Sequence, residues 1–250
     1  MTEKIDKYKV QAALVRSFFD AFSHGVIESQ MEDRNEKTTP QSVKKLMLEH
    51  YEHIAPAFFD TMFFPLAAMN YKYEDIAALA REAQQRGDDM MALVRTACGD
   101  EAYYNAMVEE YKRNFSMLLA GRYLSNADHL EGYVRKAEDE TEASVDSDRA
   151  IELTVRVVMF AYVRGLRQTG ENARSDRSAH LKQVHPLRGA TLFRLMLDAM
   201  NILLLDEAVD FADAEAADLA SLFLKVCQTQ HNFTVMTNEM DRTYSELMKE

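Results

Sequence analysis

Tryptophan is absent from this chain of 250 residues, cysteine occurs only twice, and glycine and proline number eight and four. Each scarcity excludes something. Cys98 and Cys227 are far apart and form no CxxC pair, so neither a disulfide framework nor a zinc motif is available, and a reducing compartment is expected. So few turn-forming residues argue against a linker protein and against an all-β fold with its many hairpins. Basic residues are also outnumbered, 29 Lys and Arg against 41 Asp and Glu, for a net charge of -12. That balance excludes a nucleic-acid surface as the main function, because phosphate backbones demand clustered cations. Long hydrophobic runs are missing too. The most apolar stretch, IAPAFFDTMFFPLAAM at 54–69, is shorter than a bilayer span and contains Pro56, Asp60 and Pro65. The opening residues MTEKIDKYKV carry charge with no apolar run behind them, so no secretory signal and no membrane association are expected. A cytoplasmic location is the expectation.

What is present is helical periodicity. Ile5, Tyr8, Ala12, Val15, Phe19 and Phe22 fall on one helical stripe, and Gly25 stands where a helix would stop. The polar stretch 28–39 reads as a loop. Thr39 then serves as a cap and Pro40 as the first residue of the next helix, where its missing N–H costs nothing. Pro56 and Pro65 predict two short buried helical pieces within 57–69. Further helices are predicted from Tyr73 to a stop at Gly87, from the acids Asp88 and Asp89 to Gly99, and from Asp100 to about Leu119. Another is predicted from about Asn126 into the acidic run at 138–148. The β-branched segment 151–163 keeps helical spacing through Ile151, Val155, Val158, Met159 and Tyr162. A polar segment after Gly170, a central apolar helix over 187–205 and a last helix from about Asp213 complete the pattern. The expected fold is all-α, an antiparallel array of about nine helices and no strand. Residues 1–70 form an N-terminal helical segment, either distinct from the array of 71–250 or continuous with it. Fifteen Met serve as flexible core filler or as an adaptable binding surface.

Candidate chemistry is sparse. HPLRGATLF at 185–193 has the spacing with which phosphorelay histidines are often presented, but Pro186 should open a helix, which leaves His185 at the cap rather than on a helix face. EHYEH at 49–53 gathers Glu49, His50, Glu52 and His53. No His in the chain has a Glu three residues before it, the pattern that helical di-iron sites use, so a charged face is the plainer reading. Asp88 and Asp89 lack the further acid of a prenyl-binding motif and read as helix-start acids. Residues 164–188 hold Arg164, Arg167, Arg174, Arg177, Lys182 and Arg188 against only Glu171 and Asp176. That surplus could bind an anion through guanidinium forks, or pair with the acidic run at 138–148.

Two stretches together resemble the 14-3-3 family of phosphopeptide-binding proteins. EDIAALAREAQQRGDDMMALVR at 74–95 is similar to the family's opening pair of helices, and HPLRGATLF with its apolar helix is similar to the start of a late family helix. Between them, YVRGL at 162–166 and LLAGRYL at 118–124 resemble segments that supply phosphate-holding arginines. Gly165 and Arg194 stand where the family has Tyr and Asn, and the family's Trp residues are missing. The resemblance implies an all-helical, cytosolic dimer, homo- or heterodimeric, with Arg122 and Arg164 as phosphate anchors and Arg86, Asp88 and Asp89 at the dimer contact. The expectation is a non-enzymatic adaptor that binds phosphorylated or acidic segments of partner proteins in a concave groove, without cofactor or metal. Leu192 and Leu195 would line the opposite wall. Two other readings stay open: a helical metal- or cofactor-binding enzyme using His50 and His53, and a structural or regulatory subunit of a larger complex.

Overall fold

The computed structural model describes residues 3–34, 39–120, 144–168, 177–205 and 219–249. The protein is all-α. Ten helices are present among the described residues: α1 (Lys7–Arg34), α2 (Pro40–Glu49), α3 (Tyr51–Asn70), α4 (Tyr73–Arg86), α5 (Met90–Ala97), α6 (Glu101–Leu119), α7 (Ser147–Gln168), α8 (Arg177–Leu204), α9 (Leu219–Cys227) and α10 (Gln230–Leu247). Two three-residue strands, β1 (Lys4–Asp6) and β2 (Ser144–Asp146), pair antiparallel with Ile5 opposite Val145. The sequence predicts no strand there; the pairing forms because β2 reaches back to the start of α1, a contact no local pattern announces. No helix among the described residues is long and apolar enough to cross a membrane.

Local signals set most boundaries. Thr39 and Ser42 form a reciprocal capping box, with Thr39 Oγ1 accepting from Ser42 N at 3.1 Å and Ser42 Oγ accepting from Thr39 N at 2.9 Å. Gly87 at φ 75° ends α4, and Gly99 at φ 72° follows α5, left-handed positions that favour a residue without Cβ. Asp89 accepts from Ala92 N at 2.7 Å and Asp100 from Ala102 N at 2.6 Å, so both cap helices as the sequence predicts. The segment 151–163 is helical, inside α7.

Elsewhere tertiary packing overrides the local reading. Gly25 does not stop α1, which runs on to Arg34 and takes in much of the predicted loop. Its role is a close crossing. A Cβ on Gly25 would come within 2.2 Å of the Tyr162 carbonyl oxygen, and one on Gly165 within 2.2 Å of the Phe22 carbonyl oxygen. Pro56 and Pro65 do not split α3, which stays one helix because Ile54, Phe58, Met62 and Leu66 are all buried along it and offset the missing bonds. Pro186 does not open α8, which begins at Arg177, so His185 lies within a helix and not at its cap. The residues before it include Ala179, Leu181, Lys182 and Gln183, all good helix formers, and they carry the helix back across the proline. The predicted last helix is two. Gln228, at φ 63°, separates α9 from α10, and Thr229 caps the second by accepting from Asn232 N at 3.1 Å. The predicted helix from Asn126 lies outside the described residues up to residue 143.

One apolar core runs through the molecule. Phe18 and Phe19 of α1 pack on Phe58 of α3, and they share one buried cluster with Phe22, Met107 of α6 and Ile151 and Leu166 of α7, so residues on both sides of position 70 contribute to it. Several polar groups inside it are paired. Glu110, 2 % exposed, lies 3.3 Å from Arg113 and 3.8 Å from Arg16, and Tyr162 donates to Glu28 at 2.5 Å.

Candidate functional site

Helix α7 presents two opposed faces. One carries Val155, Val158, Met159 and Tyr162 into the core. The other sets Arg156, Val157, Phe160 and Arg164 toward α3, where Asp60, Thr61, Phe64 and Pro65 stand opposite. Steps of three and four residues, as from Val155 to Val158 and Met159 or from Arg156 to Phe160 and on to Arg164, put each set on a single helical face. Between the two sets lies a cleft of about 180 Å³.

The composition of α3 helps explain its wall. Pro65 has no N–H, so the Thr61 carbonyl receives no intrahelical bond from that position. The Thr61 hydroxyl is also without a hydrogen-bond partner, although the residue is only 9 % exposed. Buried hydroxyls in that condition are rare and call for a physical account.

The two arginines of the cleft have different surroundings. Arg156 donates to Glu239 at 3.1 Å and to Glu246 at 2.7 Å, both on α10, and its guanidinium lies 5.3 Å from the centre of the Phe64 ring and 5.6 Å from that of Phe160. It is therefore a structural clasp between α7 and α10, with its fork committed. Arg164 forms an ion pair with Asp60 across the cleft, and both side chains keep solvent access, at 35 % and 41 %. That carboxylate belongs to α3. Within the acidic run at 138–148, Asp148 pairs with His231 of α10 at 2.9 Å.

The remaining predicted residues are distributed. Arg122 lies outside the described residues. Leu195 is buried in the core and Leu192 is half-buried against it; neither lines the α3–α7 cleft. Arg86 and Asp88 pair with each other at 2.8 Å on the surface, and Asp89 is the cap of α5. His50 joins α2 to α3, with its ring centre 6.4 Å from that of His53. No group of three or more His, Cys, Asp or Glu side chains able to hold a metal is gathered among the described residues. Cys98 and Cys227 are buried, and burial pushes their thiols up to about 12 and about 11, far from a reactive thiolate.

A second polar cluster stands at the α1–α8 contact. His24 lies 3.3 Å from the Asp20 carboxylate, its ring nitrogen 2.9 Å from the Asp20 carbonyl oxygen. Burial opposes its charge, but Asp20 and Asp198 outweigh burial and hold the imidazole up to about 9. Asp198 is pushed up to about 8, by burial first and then by the charge of Asp20.

Asp60, Thr61, Arg156 and Phe160 were not singled out by sequence reasoning as site residues. One signal was available. Arg156, Phe160 and Arg164 repeat at four-residue intervals on the face opposite the apolar stripe of α7. Their partners on α3 had no such mark, because Asp60 and Thr61 stand alone in an otherwise apolar segment with no polar repeat around them. No family model matches the chain, and neither a curated protein nor a solved structure matches it.

Proposed function

We propose that the chain is a non-enzymatic helical adaptor that binds an acidic or phosphorylated segment of a partner protein, with Arg164 receiving the anionic group at one end of the α3–α7 cleft. The observation that carries this reading is the state of Arg164, held at one end of an apolar cleft by a carboxylate that is itself 41 % exposed. Exposed ion pairs of this kind contribute about 0–1 kcal/mol, because water solvates the separated charges almost as well. A partner's phosphate or carboxylate can therefore replace Asp60 at little cost, and Asp60 returns to solvent. Net affinity then comes from charge-assisted hydrogen bonds to the guanidinium and from apolar contact with Val157 and Phe160. The 14-3-3-like motifs imply the same use of Arg164, with Arg122 as a second anchor and a dimer as the working form.

Fluorescence anisotropy with a library of phosphorylated and unphosphorylated peptides tests the reading. Binding should require the phosphate or an acidic equivalent, and should weaken at least tenfold in Arg164→Ala. Adding Arg122→Ala should weaken it further. Binding that ignores the anionic group, or that survives both substitutions, removes the proposal.

A further inference from the structure

We infer that the side chain entering the α3–α7 cleft is an aryl phosphate, that of a phosphotyrosine, with its ring on Val157 and Phe160 and its phosphate on Arg164. This rests on the adaptor reading above and narrows its ligand. Four observations lead to it.

The volume comes first. A dry apolar cavity of about 150 Å³ accepts one benzene ring, and the cleft measures about 180 Å³. One six-membered ring fits.

Polarity fixes the direction of entry. At one end Arg156 has its donors turned to Glu239 and Glu246, so an anion arriving there would meet two carboxylates. At the other end Arg164 meets the carboxylate of Asp60, a pair half open to water. Phe64, Val157 and Phe160 are the apolar lining between. The cleft therefore has an apolar body and one exchangeable cationic end.

Reach then distinguishes the phosphorylated side chains. A phosphoserine carries its phosphate close to its own backbone, so docking on Arg164 would leave the apolar space unfilled and forfeit its contacts. An unmodified tyrosine fills the space but presents no charge to exchange with Asp60. Only an aromatic anion satisfies both ends at once.

The wall supplies two further features. The Thr61 hydroxyl, buried and unpartnered, is a donor for a phosphate oxygen beside Asp60. Tyr73, 71 % exposed, packs edge-on against Phe64 with ring centres 5.8 Å apart, and continues the aromatic wall out to the surface. A residue flanking the phosphotyrosine would rest on it.

The test uses the full chain and one peptide sequence in three forms, with phosphotyrosine, phosphoserine or tyrosine at the central position, and phenyl phosphate as competitor. The phosphotyrosine form should bind at least tenfold more tightly than either of the others, and phenyl phosphate should displace it. Asp60→Asn should tighten binding severalfold by removing the internal competitor. Phe160→Ala should abolish the preference over phosphoserine. Because that change also removes core contact, Thr61→Val, which keeps the shape, is the second probe and should weaken the phosphotyrosine peptide severalfold. Equal, Arg164-dependent binding of the phosphoserine and phosphotyrosine forms overturns this inference and leaves the adaptor reading standing. No binding of any phosphorylated form, in the intact chain or in Asp60→Asn, overturns both.

Discussion

Helix α7 is gripped tightly on one side and loosely on the other, and the change occurs between adjacent residues. Gly165 meets α1 so closely that a single added carbon would collide with backbone. Arg164, one position earlier, looks into an open cleft against α3. The contrast shows how a bundle can hold a binding group rigidly without filling the space in front of it. The Gly25–Gly165 crossing fixes the axis of α7, and the clasp from Arg156 to Glu239 and Glu246 fixes its rotation against α10. With both set, the guanidinium of Arg164 starts from a defined place, which reduces the entropy lost on binding.

Substitution at the crossing should have the largest effect. Gly165→Ala forces α1 and α7 apart over their whole contact, and we expect a loss of about 3 kcal/mol or more, measured by urea unfolding. If instead the change is tolerated within about 0.5 kcal/mol, the grip on the α1 side is not what positions α7. Next comes Arg156→Ala, which leaves the buried carboxylate of Glu239, 3 % exposed, with a weaker set of partners. A loss of about 2 kcal/mol is expected, with the melting temperature lowered accordingly.

The α1–α8 cluster sharpens the comparison by pH. Unfolded, Asp198 ionises near 3.8 and His24 loses its proton near 6.5; folded, they hold protons to about 8 and about 9. The folded chain thus binds more protons throughout that window, so stability should fall as pH rises from about 4 to about 9. Thermal melts across this range should show a monotonic drop that Asp198→Asn flattens. A melting temperature that climbs toward pH 9 would contradict the assignment. The smallest effect belongs to the cleft. Asp60→Asn should change stability by less than about 1 kcal/mol, because the pair it breaks is half exposed. A loss as large as that of Gly165→Ala would mean that α3 and α7 are joined at this point and no site lies between them.

The helical stretches were legible wherever a signal is local. Thr39, Asp89 and Asp100 have the side chains that cap a helix, and Gly87 and Gly99 tolerate the backbone that ends one, so those boundaries follow from the residues themselves. Arg164 was legible as a member of a local arginine surplus. Asp60, its partner, was not, since 104 positions of chain separate them and nothing in IAPAFFDTMFFPLAAM marks one acid as facing another helix. Gly25 was noticed and misread for the same reason. Glycine signals either a stop or a close approach, and the choice between them depends on Gly165, far along the chain.

The amino-acid order alone determined that this protein is all-helical, acidic and without a cysteine framework, because composition, period and capping act over a few residues. Only the tertiary structure decided which glycines touch, that α3 survives its two prolines, and that Arg164 faces a cleft rather than the core. Those outcomes depend on apolar burial between distant segments, which outweighs local preferences of about 1–3 kcal/mol and is settled only when the helices meet.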